Sequence, residues 1–414
     1  MGKQLLHRHA KPLILESLAA SRAVCVLGAR QVGKSTLVQE IAANEHPAEY
    51  LTLDDEDTRR GALEDPTGFV DDITGPAVID EIQRAPDLIL AIKVRLDTRN
   101  DRGQFLLTGS ANVITLPMIA DALPGRVDYV RLWPFSQGEL EGVRESFIDR
   151  VFAGEPPMVQ DAPRGRGAYA ARIATGGFPE AHGREPVTRE RFFDSYLQSI
   201  LGRDIPDVSK VKDAAAVTRL LAVAATRTAG LTNASAMAAD LEVDHKTVAA
   251  HTELLENLFL VRRLLSWHAN LGSRQIKAPK LHLVDTGLLT HLLRADGQRI
   301  ERDAQLAGPV FETFVAMELE RQSEWSQAKP SLLHYRDKQQ REVDIVLERR
   351  GGDIVGVEVK SAATIRSRDF AGLRYLRDRL GDRFKAGVVL YTGQRTLPFG
   401  ERLRAVPLCG LWAP

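Results

Sequence analysis

Gly28-Ala29-Arg30-Gln31-Val32-Gly33-Lys34-Ser35-Thr36 fits the pattern G-x-x-x-x-G-K-[ST] at every fixed position. The apolar run at 23–27 reads as a buried strand, and 37–43 reads as a helix, so the motif stands in the strand–loop–helix order that it needs. Gly28 and Gly33 let the backbone turn tightly, which points its N–H groups at a phosphate chain. The positive end of the following helix adds to that attraction. Lys34 is expected to reach the β- and γ-phosphates, and Ser35 to offer its hydroxyl to a Mg²⁺ ion.

Outward from this loop, apolar segments at 50–53, 76–81, 104–108 and 127–132 read as further strands separated by helical stretches. A helix at 9–20, with Leu13, Ile14 and Leu18 on one side, precedes them. This β-α-β-α order predicts an α/β fold with a parallel sheet and helices on both faces. Ligands of such sheets bind beyond the C-terminal ends of the strands. The loop, the pair Asp80-Glu81 and Ser110 all fall at that edge. Asp80 is expected to hold the Mg²⁺ ion, and Glu81 to orient or deprotonate the attacking water. Ser110 or Asn112 would sense the γ-phosphate. Arg126 has two readings, an arginine finger for a neighbouring subunit's phosphate or a surface arginine.

The 414 residues leave room for two or three domains, and 44% hydrophobic with 27% charged residues is ordinary for a soluble globular chain. Lysine plus arginine equals aspartate plus glutamate at 55 each, so any DNA-binding surface must be a local patch. Cys25 lies inside an apolar strand and reads as a core residue, far in sequence from Cys409. Residues 1–21 carry Lys3, His7, Arg8, His9 and Lys11 without a long apolar run, so no signal peptide is expected. No segment approaches the length of a membrane span. The expectation is a reduced, cytoplasmic protein with no membrane partner.

The later chain divides further. Residues 155–167, rich in proline, glycine and charge, read as a loop or linker, and 198–212 as a helix end and connector broken by Pro206. The stretch 217–267 predicts a winged helix-turn-helix. Val217, Leu220, Leu221 and Ala224 form one apolar helical face. Asp244 caps a helix over 245–257 whose inner face holds Val248, Leu254, Leu255 and Leu258. His245, Lys246, Thr247 and His251 are expected outside, with 259–263 as a wing strand and Arg274, Lys277 and Lys280 in the loop beyond. That is a DNA-docking geometry, although Glu253 and Glu256 dilute its charge.

Two further strands are expected within 341–347 and 353–360. Val343, Ile345 and Leu347 share one face of the first, and Val355, Val357 and Val359 one face of the second. Asp344, Glu358 and Lys360 then fall on the opposite side, where two carboxylates and an ammonium suit metal-assisted phosphodiester hydrolysis.

The set formed by 28–36, Val78-Ile79-Asp80-Glu81-Ile82-Gln83, Leu107-Thr108-Gly109-Ser110 and Gly125-Arg126-Val127 resembles the AAA+ class of P-loop ATPases. More narrowly it is similar to bacterial and archaeal ATPases that carry a C-terminal domain of unknown function. Gly176-Gly177-Phe178-Pro179-Glu180, Arg203-Asp204-Ile205 and Asp285-Thr286-Gly287-Leu288 extend the likeness over most of the chain. The resemblance implies an AAA+ fold, ATP with Mg²⁺ as cofactor, and self-association into a ring such as a hexamer. Asp344 followed by Glu358-Val359-Lys360 resembles the PD-(D/E)XK nuclease motif, with Glu312 on the preceding helix as a further acid. The expected domains are an AAA+ ATPase at 1–150, a helical lid and winged helix at 168–280, and a nuclease-like α/β domain at 281–414. The expected function is ATP-driven action on DNA, binding, remodelling or translocating it, branched DNA included. The alternative is a nucleotide-gated switch that binds a protein partner.

Overall fold

A computed structural model describes residues 5–110, 125–208, 214–270, 272, 274 and 277–413. Five strands, β1 (Ala23–Leu27), β2 (Glu49–Thr52), β3 (Ala77–Asp80), β4 (Phe105–Gly109) and β5 (Val127–Arg131), form a sheet in the order β2-β3-β4-β1-β5. Every pairing in it is parallel. Every residue of β1, β3 and β4 is buried. Their unbroken apolar runs are what a sheet covered on both faces requires. Because β4 lies between β1 and β3, its C-terminal end emerges between the glycine loop and the Asp80-Glu81 pair. Asn112 lies outside the described residues.

The middle of the chain is helical. Helix Pro186–Ser199 passes into a π-helical turn, Ile200–Asp204, and then into Ile205–Val208. Pro206, expected to break the chain, follows that turn, and the helical course continues past it to Val208. Helices Ala214–Thr226, Ala234–Leu241 and His245–Asn257 follow. Asp244 caps the third through the backbone N–H groups of Lys246 at 2.7 Å and Thr247 at 3.0 Å. The expected inner residues Val248, Leu254, Leu255 and Leu258 are buried. His251, expected outside, is buried as well.

The hairpin after these helices, β6 (Val261–Ser266) antiparallel to β7 (Lys280–Leu283), is not a free wing. β6 runs on to pair in parallel with β8 (Ser331–Arg336). The rest of that sheet is β9 (Glu342–Glu348), β10 (Ile354–Lys360), β11 (Phe384–Tyr391), β12 (Leu397–Pro398) and β13 (Leu403–Pro407). Its order is β12-β13-β11-β10-β9-β8-β6-β7. Helix Ala304–Trp325 packs against β10 and helix Ala371–Leu380 against β11.

The expected alternation on β9 holds only in part. Leu333 pairs with Val346, but Tyr335 pairs with Val343, so β9 carries one extra residue between them. Such a bulge redirects side chains. Ile345 and Leu347 pack in the main core, whereas Val343 packs in a second cluster with Phe370 and Leu373.

The regions expected to be separate domains are joined closely. Asp149 accepts hydrogen bonds from Ser326 Oγ at 2.6 Å and from the Ala328 N–H at 3.0 Å. Arg321 Nε donates to the Pro134 carbonyl at 2.9 Å, and Glu318 accepts the Gln137 N–H at 3.0 Å. The segment 155–167 is held against the last sheet. The Ala162 N–H donates to Gln394 O at 2.9 Å, and the Gly165 N–H to Thr392 O at 2.8 Å.

Candidate functional site

The glycine loop leaves β1 beside the chain that leaves β5. A Cβ at Gly28 would lie 2.1 Å from the Leu132 carbonyl oxygen, so no side chain fits there. Gly33 has φ +96° and opens helix Lys34–Asn44, a conformation that favours glycine. Ala29 and Val32 are buried beneath the loop, while Gln31 and Thr36 are exposed. Lys34 is buried, with Nζ 3.0 Å from the carbonyl oxygens of both Gly28 and Ala29. Burial lowers its pKa, against the opposing charges of Glu81 and Asp80.

Asp80, at the end of β3, is fixed from three sides. Ser35 Oγ donates to Oδ1 at 3.1 Å, Thr108 Oγ1 to the same oxygen at 2.5 Å, and Tyr50 OH to Oδ2 at 2.9 Å. Glu81 follows with φ 62°, the left-handed region, which turns its side chain away from the line of the strand. Its N–H donates to Thr108 Oγ1 at 3.0 Å. Gln83 Nε2 donates both to Glu81 Oε2 and, at 2.8 Å, to Ser110 Oγ. Burial alone would raise the Glu81 pKa. The charge of Lys34, the hydrogen bonds from Gln83 and Ser110 and the charge of Arg30 outweigh it and hold the carboxyl below its ordinary range. Gln83 Oε1 is buried without a partner.

Lys34, Ser35, Asp80, Glu81 and Ser110 are thus brought together at one sheet edge. The hard oxygens of Ser35 and Asp80, side by side, suit Mg²⁺. Arg126 is not brought to them. It precedes β5, whose first residue pairs with Ala23 at the N-terminal edge of the sheet, and it pairs with Asp97.

Two neighbours of the loop, Asp204 and Pro179, were not legible as such. Arg30, within the loop, donates to Asp204 Oδ1 at 2.7 Å. That ties the loop to the π-helical turn and gives Arg203-Asp204-Ile205 a physical role. Burial raises the Asp204 pKa despite Arg30. Pro179 stands beside Gly33, with its ring 3.9 Å from where a Gly33 Cβ would be. The turn bearing Pro179 is anchored by Asp285, whose Oδ2 accepts the Gly177 N–H at 2.7 Å and whose Oδ1 accepts the Leu288 N–H at 3.0 Å. The signal for both was the family-like motifs themselves, which carry no chemistry until the fold sets them against the loop.

In the last sheet, Glu312, Asp344 and Glu358 also converge. Asp344 Oδ2 accepts the Val359 N–H at 2.9 Å, and Lys360 Nζ lies 3.2 Å from Glu358 Oε2. Lys280, expected in an exposed basic loop, is only 2% exposed and lies among these acids. Its Nζ is 2.7 Å from Glu312 Oε1, 2.8 Å from Glu342 Oε1 and 3.3 Å from Asp344 Oδ1. Arg274 is likewise withdrawn into a bidentate pair with Glu348. Among the described residues, no group of three or more histidines, cysteines and acids is arranged to hold a metal ion.

Residues 20–141 match the family described as an AAA domain. Residues 166–299 and 307–411 match two domains of unknown function, DUF8612 and DUF4143. The first third of the chain is therefore an AAA-type P-loop domain on a parallel α/β core. The uncharacterized protein Rv2008c of Mycobacterium tuberculosis is 28% identical over 404 residues, which covers 97% of this chain and 83% of that one. An uncharacterized protein of Mycobacterium bovis, Mb2031c, matches to the same extent. Among solved structures, a RuvB variant of Thermotoga maritima is similar at 19% identity and a TM-score of 0.28, covering 64% of this chain and 90% of that one. AMPPCP-bound DnaA of Aquifex aeolicus is similar at 15% identity and a TM-score of 0.28, covering 60% and 86%. No helix among the described residues is long and apolar enough to cross a membrane.

Proposed function

We propose that this chain binds ATP with Mg²⁺, hydrolyses it, and uses the turnover to act on DNA. The observation that carries the hydrolysis is the Ser35–Asp80 pair at 3.1 Å with Glu81 held ionised one residue beyond it. The loop N–H groups and Lys34 would bind the phosphates, and Ser35 and Asp80 would hold the ion. Mg²⁺ supplies neutralisation of phosphate charge when bound. Glu81 orients or deprotonates a water molecule, with Gln83 and Ser110 fixing its carboxylate. Arg126 belongs to this chemistry only if it acts on a neighbouring subunit, which a ring would permit.

The DNA part rests on the helices at 214–257 and on the exposed side chains of His245, Lys246 and Lys277. A second reading is favoured by the burial of Lys280 and His251 and by the pairing of Arg262, Arg263 and Arg274 with acids. These withdraw much of the expected basic surface. On that reading the chain is a nucleotide-gated switch that binds a protein partner.

ATPase rates measured with single-stranded, duplex and branched DNA separate the two. The DNA reading expects stimulation that Lys34→Ala abolishes. Hydrolysis indifferent to every DNA, together with ATP-dependent capture of one stoichiometric protein, supports the switch. A protein that binds and turns over no nucleotide in Mg²⁺ overturns both.

A further inference from the structure

We infer that Lys280 is the resident cation of the carboxylate cluster in the last sheet, standing where a nuclease-like site would hold a divalent ion. On this inference the cluster is an ionic lock between β7 and the C-terminal strands, and it does not cut phosphodiesters through a metal.

Five of the carboxylate oxygens that a metal would draw on are already engaged. Lys280 Nζ contacts Glu312, Glu342 and Asp344 within 3.3 Å. The other oxygen of Asp344 accepts the Val359 N–H, and Glu358 is engaged by Lys360. A small divalent ion requires several of these oxygens at about 2.0–2.2 Å, and a fixed ammonium in their midst repels it. The backbone that carries the ammonium is fixed on both sides. Lys280 lies on β7, paired with Leu264 on one side and bridged to Leu231 on the other. The three carboxylates against it oppose the cost of burying its charge.

The lock also explains a sequence feature. A lysine at the start of a strand next to an apparently basic loop resembles a DNA contact until helix Ala304–Trp325 and β9 meet around it. Lys280 lies within the stretch matching one family and its acidic partners within the stretch matching another. Its contacts therefore join the two.

The test is Mn²⁺ binding followed by electron paramagnetic resonance. Nucleotide-free full chain is used, with Ser35→Ala and Asp80→Asn in every sample to silence the phosphate-loop ion. With Lys280 intact, Mn²⁺ binding is expected to be unchanged by adding Asp344→Asn. Lys280→Ala and Lys280→Met are each expected to gain one Mn²⁺ per chain, which Asp344→Asn removes again. Mn²⁺ bound by the Lys280-intact protein and lost with Asp344→Asn overturns the inference. So does Mn²⁺-dependent nicking of DNA that Asp344→Asn abolishes. Folded Lys280 variants that gain no ion overturn the claim that the lysine occupies the ion's place. If neither variant folds, the Lys280-intact pair of samples decides the matter.

Discussion

Glu81 is a single carboxylate on which turnover is expected to turn. Glu81→Gln keeps the shape and the Gln83 contact but removes the charge. Nucleotide binding should persist while the hydrolysis rate falls by about 10²-fold or more, read from steady-state phosphate release against fluorescent-nucleotide binding. Lys34→Ala should instead lose binding. Two buried histidines make a different prediction. Burial, the dominant cause, lowers His282 to about 3 and His334 to about 4, with the Lys280 charge adding to both. The unfolded chain takes up these protons near the ordinary value, about 6.5, and the native chain refuses them until much lower pH. Their contribution to stability is therefore complete above that ordinary value and is lost as pH falls below it. Relative to His282→Gln, the parent chain should lose up to about 1.4 kcal/mol per pH unit over that range. Urea denaturation at neutral and mildly acidic pH measures the difference. The residues of the phosphate loop and the acids of β3 were legible because their roles follow from local spacing. Lys280 and His251 were not, because burial was decided by elements far away in the chain.

The strand–loop–helix unit and the helix cap at Asp244 formed where the sequence indicated, since both are determined within a few residues. The bulge in β9 was hidden, because an extra residue in a strand leaves the apolar pattern nearly intact until its partners are known. Pro206 misled because the wider turn just before it, where the Ile205 N–H reaches back to Ile200 O, is not visible in the apolar pattern. The most consequential element for the nucleotide loop is the turn at 176–180, which rests on Asp285 at the start of helix Thr286–Leu292. Asp285→Ala removes that helix cap and leaves the Gly177 N–H unpaired in the interior. The expected cost is about 2–4 kcal/mol, from the sum of a lost cap and an unsatisfied buried donor. Chemical denaturation measures it. Nucleotide affinity should fall as well, because Pro179 would no longer be held beside Gly33.

Taken as one body, the chain has a main core that runs from Ala10 in the first helix to Trp412 near the end. Val151 and Phe152, beside the boundary expected near residue 150, belong to it, and the loop or linker expected at 155–167 is hydrogen-bonded to the chain at 392–396, which composition alone does not disclose. Heating should therefore produce one cooperative transition by calorimetry. A fragment ending at residue 150 should fail to fold, because it lacks Arg321, Glu318 and Ser326. Saturating ATP with Mg²⁺ should raise the midpoint of the full chain. At a hundredfold excess over the dissociation constant the gain is about 2.7 kcal/mol. The rims of the two sheets carry a last consequence. Of the four rims, β12 has two residues and β2 four, β5 has five with the exposed charges of Asp128 and Arg131, and the outer side of β7 is covered by the chain at 229–232. Short or shielded rims give another polypeptide little backbone to zip onto. Copies of this chain that meet should therefore do so through helices and loops, leaving each subunit free to separate again without unravelling its neighbour.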